Sequence, residues 1–206
     1  MGYALFYAQL GRTHASAKPL RGFGGAGVVE IVEDFRTDTY RAVYTVRFAG
    51  SVYVLHAFQK KSKRGSQTPH QEMELIRRRS RRPKRTIVRV RSTVMTTELT
   101  PIRRGSGNVF ADLGFPDAAS HLLKASLVVR IQDAIDQRGY SQAEAGRIIG
   151  ISQPDISRML SGHFRDVSVE RLMRFLQALG YEIDIVLRET GNPENGQTIH
   201  LQPQTA

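Results

Sequence analysis

The chain has 206 residues, no cysteine and a net charge of +11. It can hold neither a disulfide framework nor a Cys-based zinc site, and no apolar run approaches the length of a membrane span. With no signal peptide at MGYALFYAQLG, a cytoplasmic protein without a membrane partner is expected. The charge is concentrated: Lys60 to Arg91 carries 13 Lys or Arg against Glu72 and Glu74, while the remainder holds 17 residues of each sign. Such a segment points to a polyanion, nucleic acid foremost, with a solvated linker as the plain alternative for Arg81 to Arg91. The length accommodates two small domains, divided between residues 80 and 110.

Tyr3 to Leu10 reads as the last turns of an amphipathic helix closed by Gly11, so the chain is expected to start within an element. Lys18 to Gly27, KPLRGFGGAG, is a glycine-rich loop without the preceding strand or following Lys-Ser/Thr pair of a phosphate-binding loop. Val28 to Phe35 reads as a strand. In Tyr40 to Phe48, Tyr40, Ala42, Tyr44, Val46 and Phe48 alternate with Arg41, Val43, Thr45 and Arg47, which predicts a half-buried strand with arginines on its open side. Ala49-Gly50 makes a turn, and Ser51 to Phe58 returns antiparallel. Thr68 then caps a helix with Pro69 first and Gln71 closing a capping box, running to about Arg79. Pro83 and the β-branched residues of SRRPKRTIVRVRSTV forbid its continuation.

In the second half, Leu123, Leu127, Ile131 and Ile135 line one face of a helix stopped by Gly139. The run SQAEAGRIIGISQPDISRMLSG follows. Ser141 with Glu144 is a capping box that starts a helix at Gln142, and Gly150 supplies the positive φ of a sharp turn. Ser152 with Asp155 caps a second helix through Leu160, with Pro154 in its first turn, where a missing N–H costs nothing. A mid-helix Gly costs about 1 kcal/mol relative to Ala, so Gly146 marks a close approach between the two helices. Ala145, Ile149, Ile151, Ile156 and Met159 form the inward set. Gln153, Asp155, Ser157 and Arg158 stay outward, groups that reach base edges and phosphates. This spacing implies a helix-turn-helix that reads duplex DNA; the alternative is an αα-hairpin that only packs. Ser168 caps a further helix ended by Gly180, Tyr181 to Arg188 alternates as a strand, and the polar residues after Thr190 form a loose tail.

The segments KPLRGFGGAGVVEIVEDF and TYRAVYTVRFAGSVYVLHAFQKKSKRGSQTPHQEMELIRRR resemble RelE/HigB-type toxins of the phage-derived branch, over Gly2 to about Arg79. The resemblance implies an antiparallel sheet with helices on one face, and ribosome-dependent cleavage of mRNA. It also implies a missing opening strand and helix. From Met95 to Arg188 the chain resembles HigA-like antitoxins of the Xre helix-turn-helix group, through GSGNVFADLGFPDA and the helices after it. Gln142, Gln153, Ser157 and Arg158 match positions that contact DNA in that group, where Gly146 is more usually Ala. The two resemblances imply a toxin–antitoxin fusion: an α+β domain over 1–80, a basic linker over 81–104, a mainly α domain with a C-terminal strand over 105–189, and a flexible tail over 190–206. Operator DNA, the ribosome with its mRNA, and a second copy met through the antitoxin half are the implied partners.

Cleavage of RNA by its own 2′-hydroxyl needs no metal or other cofactor, only groups that move protons and neutralise the phosphorane. Arg41, Lys60 and Lys61 suit the phosphate, and His56 suits proton transfer, its plain alternative being a packed strand residue beside Val54 and Phe58. The remaining histidines fit no metal-ligand spacing. The expected DNA-reading set is Gln142, Ser152, Gln153, Asp155, Ser157 and Arg158. A third possibility makes the first half a non-catalytic module serving a transcription factor.

Overall fold

A computed structural model describes residues 1–23, 27–35, 38–48, 51–60, 68–80 and 104–186. The chain divides into two compact units, with the boundary between Gly105 and Ser106.

The N-terminal unit opens with helix α1 (Gly2–Gln9), followed by strands β1 (Ala17–Pro19), β2 (Val28–Phe35), β3 (Asp38–Phe48) and β4 (Ser51–Lys60), and by helix α2 (His70–Ser80). The strands lie in sequence order, each antiparallel to the next. Strand β1 occupies the start of the expected glycine-rich loop, and the Leu20 amide donates to the Val28 carbonyl at 3.0 Å. Helix α1 departs from the amphipathic expectation, because every residue from Tyr3 to Ala8 is buried. The core under α2 joins Leu20, Val28, Val43, Leu55 and Ile76, flanked by Phe23, Tyr53, Phe58 and Met73. Ile76 is wholly enclosed, so truncating it removes about 2–5 kcal/mol.

The centre of β3 is covered on both faces. Arg41, Val43 and Thr45 are buried, as are Ala42 and Tyr44. The expected open side with arginines is therefore not formed at Arg41; alternation alone predicts one dry face and cannot say that a central strand is covered twice. Strand β4 carries a bulge at Leu55: Val43 pairs with His56, but Tyr44 pairs with Val54. One extra residue lets Leu55 and His56 both turn toward α2 while Val54 stays exposed. His56 thus shares its face with Phe58 and not with Val54.

The C-terminal unit comprises α3 (Val109–Asp112), α4 (Ala118–Arg138), α5 (Gln142–Ile149), α6 (Gln153–Leu160) and α7 (Val169–Ala178). Leu123, Leu127, Ile131 and Ile135 are buried along α4 as expected, joined by Val128 and Ala134. Gly139 ends α4 in the left-handed conformation, φ +65°. Side-chain caps start the other four helices: Asn108 for α3, Ser141 for α5, Ser152 for α6 and Ser168 for α7. The strand expected over Tyr181 to Arg188 is not formed over residues 181–186, which have no regular structure and expose Ile185 and Val186. An alternating segment becomes a strand only where an edge offers hydrogen bonds. Residues 187–188, the 81–103 part of the expected linker and the expected tail lie outside the described residues. Among the described residues no helix is long and apolar enough to cross a membrane.

Candidate functional site

Helices α5 and α6 are defined by two caps and one absent side chain. The Ser141 hydroxyl accepts from the Glu144 amide at 3.2 Å, and the Glu144 carboxylate accepts from the Ser141 amide at 2.8 Å, completing the capping box. The Ser141 amide first, and then its hydroxyl, which donates to the same carboxylate at 2.7 Å, hold the Glu144 carboxyl below its ordinary range. Ser152 accepts from the Asp155 amide at 3.3 Å and donates to the Asp155 carboxylate at 2.6 Å. Between the caps, Gly150 turns the chain at φ +76°. A Cβ on Gly146 would lie 2.7 Å from the Ile151 carbonyl oxygen. The close approach read from the sequence is therefore real, but it is the backbone of the turn that claims most of the space. Ala145, Ile149, Ile156 and Met159 are buried beneath, with Ile151 half-buried.

This base leaves a linked polar surface. Gln153 Nε2 donates to Gln142 Oε1 at 3.0 Å, so the first residues of the two helices hold each other while both remain exposed. Arg158 is 72% exposed and donates to Asp155 at 2.5 Å. Asp155 receives Ser152 and Arg158 together, which holds its carboxyl below the ordinary range, Ser152 contributing most. Ser152 and Asp155 are thus engaged in the cap of α6, whereas Gln142, Gln153 and Arg158 present donors outward. Ser157 is half-buried on the same helix. Beside the turn, Arg171 and Arg174 line a 240 Å³ hollow with Ile149, Gly150, Ile151 and Phe175, adding positive charge to this side of the unit.

The N-terminal candidates are distributed differently. Arg41 donates from Nη1 to Glu30 at 2.5 Å and to the Thr68 hydroxyl at 3.3 Å, with 8% of its side chain exposed. It is an internal ion pair and does not stand on an open surface. His56 Nε2 lies 2.5 Å from Glu72 Oε2, and Arg79 Nη1 lies 3.3 Å from His56 Nδ1 while donating to the Leu55 carbonyl at 2.6 Å. Glu72 and Arg79 were not singled out from the sequence. Their spacing of seven, two helical turns on one face of α2, was available, but the register that sets His56 between them was not. Lys60 pairs through its backbone with Thr39; its side chain and all of Lys61 lie outside the described residues.

The fold and the paired helices define a two-part molecule: an antiparallel α+β unit followed by a helix-turn-helix unit of the DNA-binding class. Residues 109–188 match the family model of a helix-turn-helix domain, and residues 1–81 match that of phage-derived Gp49-like proteins. The chain therefore joins a Gp49-like domain to a helix-turn-helix domain, an arrangement consistent with a toxin–antitoxin fusion. A solved structure described as a putative XRE family transcriptional regulator aligns over its full length with 43% of this chain, at 32% identity and a TM-score of 0.41. No curated protein matches the chain in sequence.

Proposed function

We propose that the helix-turn-helix half binds an operator as a dimer, represses transcription of its own operon and restrains the N-terminal half, a metal-independent endoribonuclease acting on mRNA at the ribosome. The observation that carries the DNA-binding part is the exposed Gln142–Gln153 pair beside Arg158, seated over a closed apolar base. Helix α6 enters the major groove, where glutamine donates and accepts against adenine and arginine meets guanine or phosphate. Tethering raises the effective concentration of the restraining half to roughly millimolar when the connector spans the gap.

The test is a gel shift on the operator across a salt series. Arg158→Ala weakens binding and, where Arg158 meets phosphate, lowers the salt slope by about one. Binding unchanged at every salt concentration rejects α6 as the reading helix.

A second reading, a regulator with a non-catalytic scaffold, draws on the enclosure of Arg41 by Glu30 and Thr68. Lys60→Ala and Lys61→Ala separate the two, since a scaffold has no mRNA cleavage to lose and keeps operator binding.

A further inference from the structure

The bulge in β4 builds a cluster outside the Arg41 pair. Because Leu55 is the extra residue, its carbonyl falls where the ladder is interrupted, and Arg79 reaches across from α2 to satisfy it at 2.6 Å. The same guanidinium nitrogen lies 3.3 Å from His56 Nδ1. A guanidinium can only donate, so Nδ1 accepts and Nε2 carries the ring proton, directed to Glu72 at 2.5 Å. Phe58 lies against the ring, with centroids 5.3 Å apart and planes 21° from parallel. The imidazole is thereby fixed in one tautomer and one orientation. With 17% of the His56 side chain and 32% of the Glu72 side chain exposed, solvent reaches the cluster from outside the core.

We infer that His56, Glu72 and Arg79 form the proton-transfer and phosphate-binding centre of the N-terminal domain, with a ribonucleotide phosphodiester as substrate. The inference rests on the endoribonuclease reading proposed above and names its chemistry. The long Arg79 contact at Nδ1 yields to the substrate 2′-hydroxyl, and the guanidinium turns to the adjoining phosphate. Nδ1 takes the 2′-hydroxyl proton as O2′ bonds to phosphorus, while Glu72 stabilises the imidazolium through Nε2–H and Arg79 the charge of the phosphorane. The bond from phosphorus to O5′ breaks, a solvent water protonates the leaving oxygen, and the imidazolium returns its proton to the resulting hydroxide. The products are a 2′,3′-cyclic phosphate and a 5′-hydroxyl, with no net consumption of water. His56 and Arg79 are the catalytic residues. Glu72 is a positioning residue.

The test uses the full chain on translating ribosomes, intact and after the connector is cut and the restraining half removed, with cleaved ends analysed chemically and histidine ¹⁵N spectra recorded on the same proteins. Once released, the wild type leaves cyclic-phosphate and 5′-hydroxyl ends, and His56→Asn lowers kcat by about 100-fold or more with its circular dichroism unchanged. Glu72→Ala lowers kcat by about 10-fold at unchanged KM and turns the single Nε2–H tautomer of His56 into a mixture. Cleavage by His56→Asn within twofold of wild type overturns the site yet leaves the endoribonuclease reading standing. An Nδ1–H tautomer in the wild type overturns the site on structural grounds, whatever the rates. A wild-type chain that leaves the message intact even after the restraining half is removed overturns both readings together.

Discussion

The position of the side chain that Gly146 lacks falls 2.7 Å from the carbonyl oxygen of Ile151, closer than a methyl group and a backbone oxygen can stand. In an open helix Gly→Ala gains about 1 kcal/mol. Here the clash is with backbone, and overpacking costs about 1–3 kcal/mol. Gly146→Ala is therefore expected to lower stability by about 1 kcal/mol in urea unfolding of the full chain. A gain would show that the turn moves aside at little cost.

Arg41 and Glu30 neutralise each other with 8% and 15% of their side chains exposed. Removing Arg41 strands a carboxylate in a site built for a pair. Arg41→Ala is expected to cost about 3 kcal/mol, while the joint replacement Arg41→Met with Glu30→Leu recovers most of it. Chemical denaturation of the single and double variants measures both.

Three carboxylates at helix starts, Glu144, Asp155 and Glu170, are held below their ordinary values of 4.5, 3.8 and 4.5 by hydrogen bonds, chiefly from Ser141, Ser152 and Ser168. A carboxyl whose folded value is depressed contributes stability above its unfolded value and loses it as pH falls through the folded one. The helical unit should lose cap stability below about pH 4. Replacing all three by their amides should lower Tm at pH 7 and flatten its decline between pH 5 and pH 3.

His121 stands among Phe110, Phe115 and Phe164, with ring centroids at 4.6, 4.9 and 5.2 Å. Burial first, then Lys124 and Arg165, hold its ring below the ordinary 6.5. Protonation therefore favours the unfolded chain, so this contribution is complete above pH 6.5 and fades as pH falls through the lowered value. His121→Phe should reduce the fall in thermal stability between pH 7 and pH 5; an unaltered profile would place the titration elsewhere.

The Gln142–Gln153 bond makes a coupled prediction under the proposed DNA-binding role. Gln153→Ala should weaken operator binding by about 1–3 kcal/mol and relax the preference at one base pair. Gln142→Ala should reproduce part of that loss. The double variant should bind no worse than Gln153→Ala, because residues acting as a unit do not add. Quantitative gel shifts on the operator and on single-base variants decide it.

The helix-turn-helix was legible because its determinants are local: the Ser141 and Ser152 caps, the two glycines and the apolar positions all act within a few residues of themselves. Strands β2 to β4 were legible for a similar reason, through alternation. What escaped depended on partners far along the chain. Arg41 was placed on an open face because a period of two distinguishes sides without saying what covers each. Residues 181–186 carry a strand pattern, yet a pattern creates no edge to pair with. Most instructive is His56, named as a candidate with its surroundings misread: the bulge shifted its facing, and Glu72 and Arg79 arrive from a helix whose docking no local rule specifies.

The irregularity at Leu55 also means that β4 changes faces across one residue, with Val54 outward and His56 toward α2. Removing Leu55 would restore an even ladder in which Val54 still meets Tyr44 and His56 still meets Val43, so neither flank would turn over. The imidazole would then keep its carboxylate, while the core would lose a side chain and Arg79 the carbonyl it meets. In this domain a single added peptide unit supplies the anchor for a guanidinium, and a single-codon deletion would remove that anchor without disturbing the pairing of the strand.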